Sequence, residues 1–107
     1  NLGMAHLFRA NLTEANFTGA ILKDAVLKMA KLRGINLTGA NLTGADLSMS
    51  DLTQADMSKA NLNMTNLEKA DLTEANLEGA SWIQSDRKGA ILCHTIMPGG
   101  EEDNSGC

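Results

Sequence analysis

The sequence predicts a solenoid, a chain wound into a stack of five-residue units, and three observations carry the prediction. Leucine recurs at every fifth position, at 2, 7, 12, 22, 27, 32, 37, 42, 47, 52, 62, 67, 72, 77 and 92, with Phe17, Met57, Trp82 and Met97 in the same frame and only Arg87 breaking it. Two places before each of these stands a small residue, usually Ala, with Ser50, Thr65, Ser85 and Thr95 as near equivalents and Ile35 as the one large exception. The remaining positions are rich in Asn, Asp, Ser, Thr and Gly, residues that tolerate turns and bond locally to the backbone. The unit reads Ala, Asn or Asp, Leu, Thr or Ser, then a variable residue. A period this regular outranks any local propensity for helix or strand.

The period itself excludes the two simple alternatives. On a helix, five residues advance by about 140°, which scatters the leucines around the whole surface and leaves no buried stripe. On a continuous strand an odd step sends successive leucines to opposite faces. The chain must therefore turn once in every unit.

Composition narrows the function classes. The 107 residues suffice for one core, yet there is no Tyr, one Trp and two Phe, so the interior must be built of Leu and Ala. A net charge of −4 argues against a general nucleic-acid binder, which would carry a basic patch. No stretch approaches the roughly 20 apolar residues of a membrane span, and no membrane insertion is expected. Asn1 enters already in step with the repeat, so upstream sequence is expected and the lack of a leader peptide carries no weight.

Runs such as ANLTGADLS at 40 to 48 and KADLTEANLEGA at 69 to 80 resemble the pentapeptide-repeat family, and the resemblance extends over residues 1 to 97. It implies an all-β fold, a right-handed quadrilateral β-helix of about five coils with four pentapeptides each, Leu and Ala positions inward and the other three outward. Glycine at 19, 39, 79 and 99, interrupted by Lys59, is consistent with a coil of 20 residues. Four inner columns follow, and a polar substitution at Leu47, inside the stack, should cost more than one at Leu2. The filled interior leaves no room for a ligand pocket, so function must sit on the outside or at the ends.

Taken coil by coil, the first carries His6, Met4 and Phe8. The second adds Ile21, Val26 and Met29, together with Lys23, Lys28, Lys31 and Arg33 against Asp24, a net +3. Residues 41 to 80 bring Met49 and Met64, and seven acids, Asp46, Asp51, Asp56, Glu68, Asp71, Glu74 and Glu78, against Lys59 and Lys69, a net −5. The Asn and Asp before each Leu look like a carboxylate array and are more simply read as turn-stabilising ladders. In the fifth coil Arg87 would be a buried unpaired charge, so a bulge over Ser85 to Gly89 is expected to turn it outward, with the frame regained at Ala90.

After Met97 the composition changes to PGGEEDNSGC, which divides the chain into a repeat domain, 1–97, and a terminal cap, 98–107. Cys93 and Cys107 fall in this region, and a bond between them would close a loop of about 15 residues. CHTIMPGG followed by NSGC also resembles the ending of cyanobacterial and chloroplast-lumen members of the family. A bonded pair implies an oxidising compartment, a thylakoid lumen or periplasm; two free thiols would imply the cytoplasm. Cys93, His94 and Cys107 with a tail carboxylate could ligate zinc, although the spacing matches no recognised zinc pattern. His6 and His94 lie about four coil steps, roughly 19 Å, apart and cannot share a site.

The resulting expectation is a structural or protein-binding module, not an enzyme, with no cofactor and an unidentified protein partner. Phe8, Ile21, Val26, Met29, Met49 and Met64 are the expected contact surface, since exposed methionine is adaptable. Self-association through the ends or edges is a further option. The alternative rests on the resemblance: family members that confer quinolone resistance look like DNA and bind topoisomerases through an acidic surface, here Asp46, Asp51, Asp56, Asp71 and Glu74. Those relatives dimerise through a C-terminal helix for which this chain has no candidate. A metal-dependent enzyme ranks third.

Overall fold

Every unit up to residue 90 makes the same turn. In a computed structural model describing residues 1–107, the amide of each small residue from Ala5 to Ala90 donates to the carbonyl three places earlier, that of the Leu-frame residue, as in Ala25 to Leu22 and Ala45 to Leu42 at 3.0 and 2.9 Å; in the unit 91–95 the Leu92 carbonyl accepts from Gly106 instead. The third residue of each turn has positive φ, from Met4 at 60° to His94 at 51°, which defines a type II turn. Glycine is not what sets the coil: Met29, Gln54, Lys69 and Glu74 adopt the same backbone as Gly39.

Between turns the chain pairs with its own next coil. The Leu22 amide donates to Asn41 O at 2.7 Å, the Asp24 amide to Thr43 O at 2.9 Å, and the Asn41 amide back to Ala20 O at 2.9 Å. These bonds form parallel bridges between residues 20 apart, in unbroken series from His6 with Val26 to Asn76 with Ile96. A coil is thus four pentapeptides, one to a side, in an all-β solenoid. The amide left over, that of the Ser or Thr, is taken by a side chain: Asn36 Oδ1 accepts from Thr38 N at 3.0 Å and from Thr38 Oγ1 at 2.7 Å. All five amides of a central unit are therefore satisfied, as a buried backbone requires.

The core is the set of inner columns. Leu22, Leu32, Leu42, Leu47, Leu62, Leu67 and Leu72 are buried with Met57 and the intervening alanines, and Ile35 is buried in a small-residue slot. Hydroxyls in those slots are bonded, Ser50 Oγ to Leu47 O at 2.6 Å and Thr65 Oγ1 to Leu62 O at 2.8 Å. No buried side-chain polar atom lacks a partner. At the first coil the columns open to solvent, and Leu2 is 40% exposed while Leu47 is fully buried.

Arg87 is exposed, but without the expected bulge. Leu67 N still donates to Asp86 O at 2.7 Å, Lys69 N to Lys88 O at 2.9 Å and Ala90 N to Arg87 O at 3.0 Å, so the frame is never lost. The reason is position: residue 87 lies in the last coil, where no further coil covers its inward slot. Its guanidinium lies 4.2 Å from the ring centroid of Trp82, a cation–π contact that roofs the column.

The tail closes the rest of this end. The two regular strands, β1 (Thr95–Ile96) and β2 (Glu102–Asp103), pair antiparallel. Met97 N donates to Glu101 O at 2.7 Å and Gly106 N to Leu92 O at 2.7 Å. A Cys93–Cys107 disulfide, with Cα atoms 4.8 Å apart, pins the terminus to the last coil.

Candidate interaction surface

One pentapeptide per side means that side identity follows from residue number. The first side comprises 1–5, 21–25, 41–45, 61–65 and 81–85, and the second, third and fourth sides follow in steps of five. Charge is unevenly divided among them. The first side carries only Lys23 and Asp24, whereas the second carries eight charged side chains, the third six and the fourth three.

The same first side holds five of the eight exposed large apolar residues, the others being Phe8 and Met49 on the second side and Ile91 on the third. Met4, Ile21, Met64 and Ile83 are 72, 45, 56 and 66% exposed, and Leu2 joins them at the open end. Met4 and Met64 take the fourth position, and Ile83 the third, of the turn that forms this side's edge; in the two coils between Met4 and Met64 those positions hold Lys23, Asp24, Thr43 and Gly44, with coils about 4.8 Å apart. Asn63 fixes the upper part of that edge, its Oδ1 accepting from Ser81 Oγ at 2.6 Å and Ile83 N at 2.9 Å in the next coil.

Of the residues expected at the contact surface, Ile21 and Met64 lie on this side. Val26 is half-buried on the flat part of the second side, and Phe8, Met29 and Met49 line that side's far turn, where Arg9 lies 5.2 Å from the Phe8 ring. The expected set therefore spans two adjacent sides that share the Met4–Met64 edge. Ile83 was missed; adding 20 to Asn63, Met64's neighbour, would have placed it.

The acidic set does not form one face. Asp46 lies on the second side, Asp51, Asp71 and Glu74 on the third, and Asp56 on the fourth, because successive units occupy successive sides. Asp51 and Asp71 do share a column, but Asn11, Lys31 and Ile91 complete it. Each aspartate is also engaged: Oδ1 of Asp46, Asp51, Asp56 and Asp71 accepts from the hydroxyl of Ser48, Thr53, Ser58 and Thr73 at 2.6, 2.6, 2.7 and 2.6 Å. Their job in the fold is the one Asn36 performs.

Two shallow surface depressions exist. One, of about 180 Å³, lies on the second side among Lys28, Asp46, Met49 and Glu68; the other, of about 380 Å³, lies at the open end beside Met4 and Ile21. Neither brings together a nucleophile and a base.

The remaining cluster is at the capped end. The ligand atoms of Cys93, His94 and Cys107 lie within 4.8 Å of one another. His94 Nδ1 is 3.3 Å from Glu102 Oε2, which also accepts from Asn104 Nδ2 at 3.0 Å. The Asn104 bond foremost, and the His94 bond with it, hold the Glu102 carboxyl below its ordinary value. Asp103 is lowered in the same direction by the Ser105 side chain and amide. His6 stands on the second side of the first coil, far from this cluster.

The geometry has clear counterparts among known proteins. The family model described as pentapeptide repeats matches residues 1–39, 35–73 and 70–99. A pentapeptide repeat protein from the thylakoid lumen of Arabidopsis thaliana is 39% identical over 86% of this chain, with a TM-score of 0.85 and 64% of its own length covered. The pentapeptide repeat protein Rfr23 of the cyanobacterium Cyanothece 51142 is 36% identical over 79% of this chain and 58% of its own, with a TM-score of 0.79. HetL, a pentapeptide repeat protein involved in heterocyst differentiation regulation in Nostoc sp. strain PCC 7120, is 33% identical over 95% of this chain and 51% of its own, with a TM-score of 0.52. The chain thus spans less than two thirds of each of these proteins. No curated protein matches it by sequence. On the repeat matches and these likenesses, the chain belongs to the pentapeptide repeat family.

Proposed function

We propose that the chain is a non-catalytic protein-interaction module, a right-handed four-sided rod of about five coils that docks a protein partner on its first side. The observation that carries this reading is the coincidence of two asymmetries on one side: two charged residues in five pentapeptides, and Met4, Ile21, Met64 and Ile83 exposed along it. A single exposed apolar residue means little, but several on one charge-poor side favour association. The filled interior and the absence of a paired nucleophile and base leave the surface to act. The disulfide and the likeness to the thylakoid-lumen protein support an oxidising compartment such as that lumen or a periplasm.

The test is site-directed photocrosslinking with a photoreactive side chain placed at Met64 or, on the fourth side, at Lys59. The module reading expects a discrete adduct from position 64 that Ile83→Asp abolishes while the circular dichroism spectrum is unchanged. Equal adducts from both positions, or insensitivity to Ile83→Asp, would contradict it.

A further inference from the structure

We propose that the capped end is a reduction-dependent zinc site, in which Cys93, His94 and Cys107 bind the ion once the disulfide is opened and Glu102 holds the imidazole. The two bonded sulfurs and a ring nitrogen of His94 already lie within 4.8 Å of one another, and a tetrahedral ion with bonds of about 2.0 to 2.3 Å needs ligand separations of roughly 3.3 to 3.8 Å, which opening the disulfide and turning the exposed imidazole would supply. Two sulfurs and one imidazole are the donor set that favours zinc over magnesium or calcium.

The bonds that place these residues do not run through the sulfurs. Cys93 N donates to Thr95 Oγ1 at 3.0 Å and His94 N to Asn104 Oδ1 at 2.7 Å. Cys107 follows Gly106, whose amide is bonded to Leu92 O at 2.7 Å, and Cys107 N donates to Asn104 O at 3.2 Å. Gly106 also lies so close to the coil that a Cβ there would meet Leu92 N at 2.9 Å. The β1–β2 pairing holds the base of the hairpin. Reduction therefore frees the thiols without removing the backbone contacts that gather them.

His94 is prepared for a metal. With Nδ1–H donating to Glu102 at 3.3 Å, the lone pair is on Nε2, the carboxylate–histidine arrangement that orients zinc-binding imidazoles. Asn104 steadies the carboxylate in turn. His94 and Cys107 are exposed, which gives the ion an entry path and leaves its fourth position to water.

The chemistry balances. A small dithiol supplies two electrons and two protons to the Cys93–Cys107 bond, yielding two thiols and its own disulfide. Zinc then displaces the two thiol protons to solvent as two Zn–S bonds form. The disulfide and the ion are alternative staples for one tail.

The experiment uses the whole 107-residue chain, oxidised or reduced with excess dithiol that is then removed anaerobically. Zinc is titrated in competition with a chromophoric chelator, and cobalt is used for thiolate charge-transfer absorption. The proposal expects one zinc per reduced chain and none per oxidised chain. Glu102→Gln should weaken binding by about 10- to 100-fold, His94→Ala at least as much, and zinc should raise the melting temperature of the reduced chain towards that of the oxidised one. Both variants keep the disulfide when oxidised, so their oxidised melting temperatures check folding separately. Absence of stoichiometric binding to the reduced chain, or binding that survives in Cys93→Ser/Cys107→Ser or is unmoved by His94→Ala, would overturn it.

Discussion

The variable residue of each unit is variable only in its side chain. Its backbone has positive φ in every turn from Met4 to His94, whether Gly, Met, Lys or Glu occupies it, and for non-glycine residues that region costs on the order of 1–2 kcal/mol. Gly39 isolates the effect, since nothing lies within 4 Å of a Cβ built there. Gly39→Val should therefore lower stability by about 1 kcal/mol through the backbone alone, with Gly39→Asn costing less, as denaturant melts would show. The unit's second position is the opposite case, where side-chain chemistry is the requirement. Asp51→Ala strips Thr53 of its partner for both amide and hydroxyl and should cost about 1–2 kcal/mol. Asp51→Asn keeps the acceptor and should be neutral within about 0.5 kcal/mol; a large loss in Asn would revive a role for the charge itself. The sequence already favoured the turn-stabilising role, since Asn and Asp interchange there. The positive φ was hidden, because Met, Lys and Glu carry no mark of it.

At the scale of the coil, stability follows the number of neighbours. Leu47 is covered by coils above and below, Leu2 on one side only, which leaves it 40% exposed. Leu47→Ala should cost about 2–5 kcal/mol and Leu2→Ala clearly less, by thermal or urea unfolding; equal losses would mean that the first coil is covered in solution. Leu47 was legible as core because its frame is unbroken on both sides. Arg87 was misread for a related reason. A charge in an inward slot demands a bulge only where another coil would bury it, and the last coil has an open top on which the guanidinium can lie over Trp82. The disulfide was readable from the position of Cys93 in the last coil and Cys107 at the terminus. The antiparallel pairing of β1 with β2 was not, because GGEED has no hydrophobic alternation to announce a strand.

For the whole molecule, the five-residue period determines the stack and the 20-residue bridge register determines which residues share a side. Applying that register throughout would have dispersed Asp46, Asp51 and Asp56 over three sides and joined Ile83 to Met64. What no register can supply is the partner, because a flat solenoid wall recognises by shape and apolar contact, and neither leaves a motif. Docking through the charge-poor first side is to be tested by the salt dependence of affinity for the partner identified by crosslinking at position 64. The affinity should change less than about threefold between low salt and several hundred millimolar, and should fall at least tenfold in Met64→Asp/Ile83→Asp, since apolar contact is not screened. An affinity that collapses with salt, is unaffected by those two substitutions and is lost in Asp51→Asn/Asp71→Asn would contradict it and place binding on the third side.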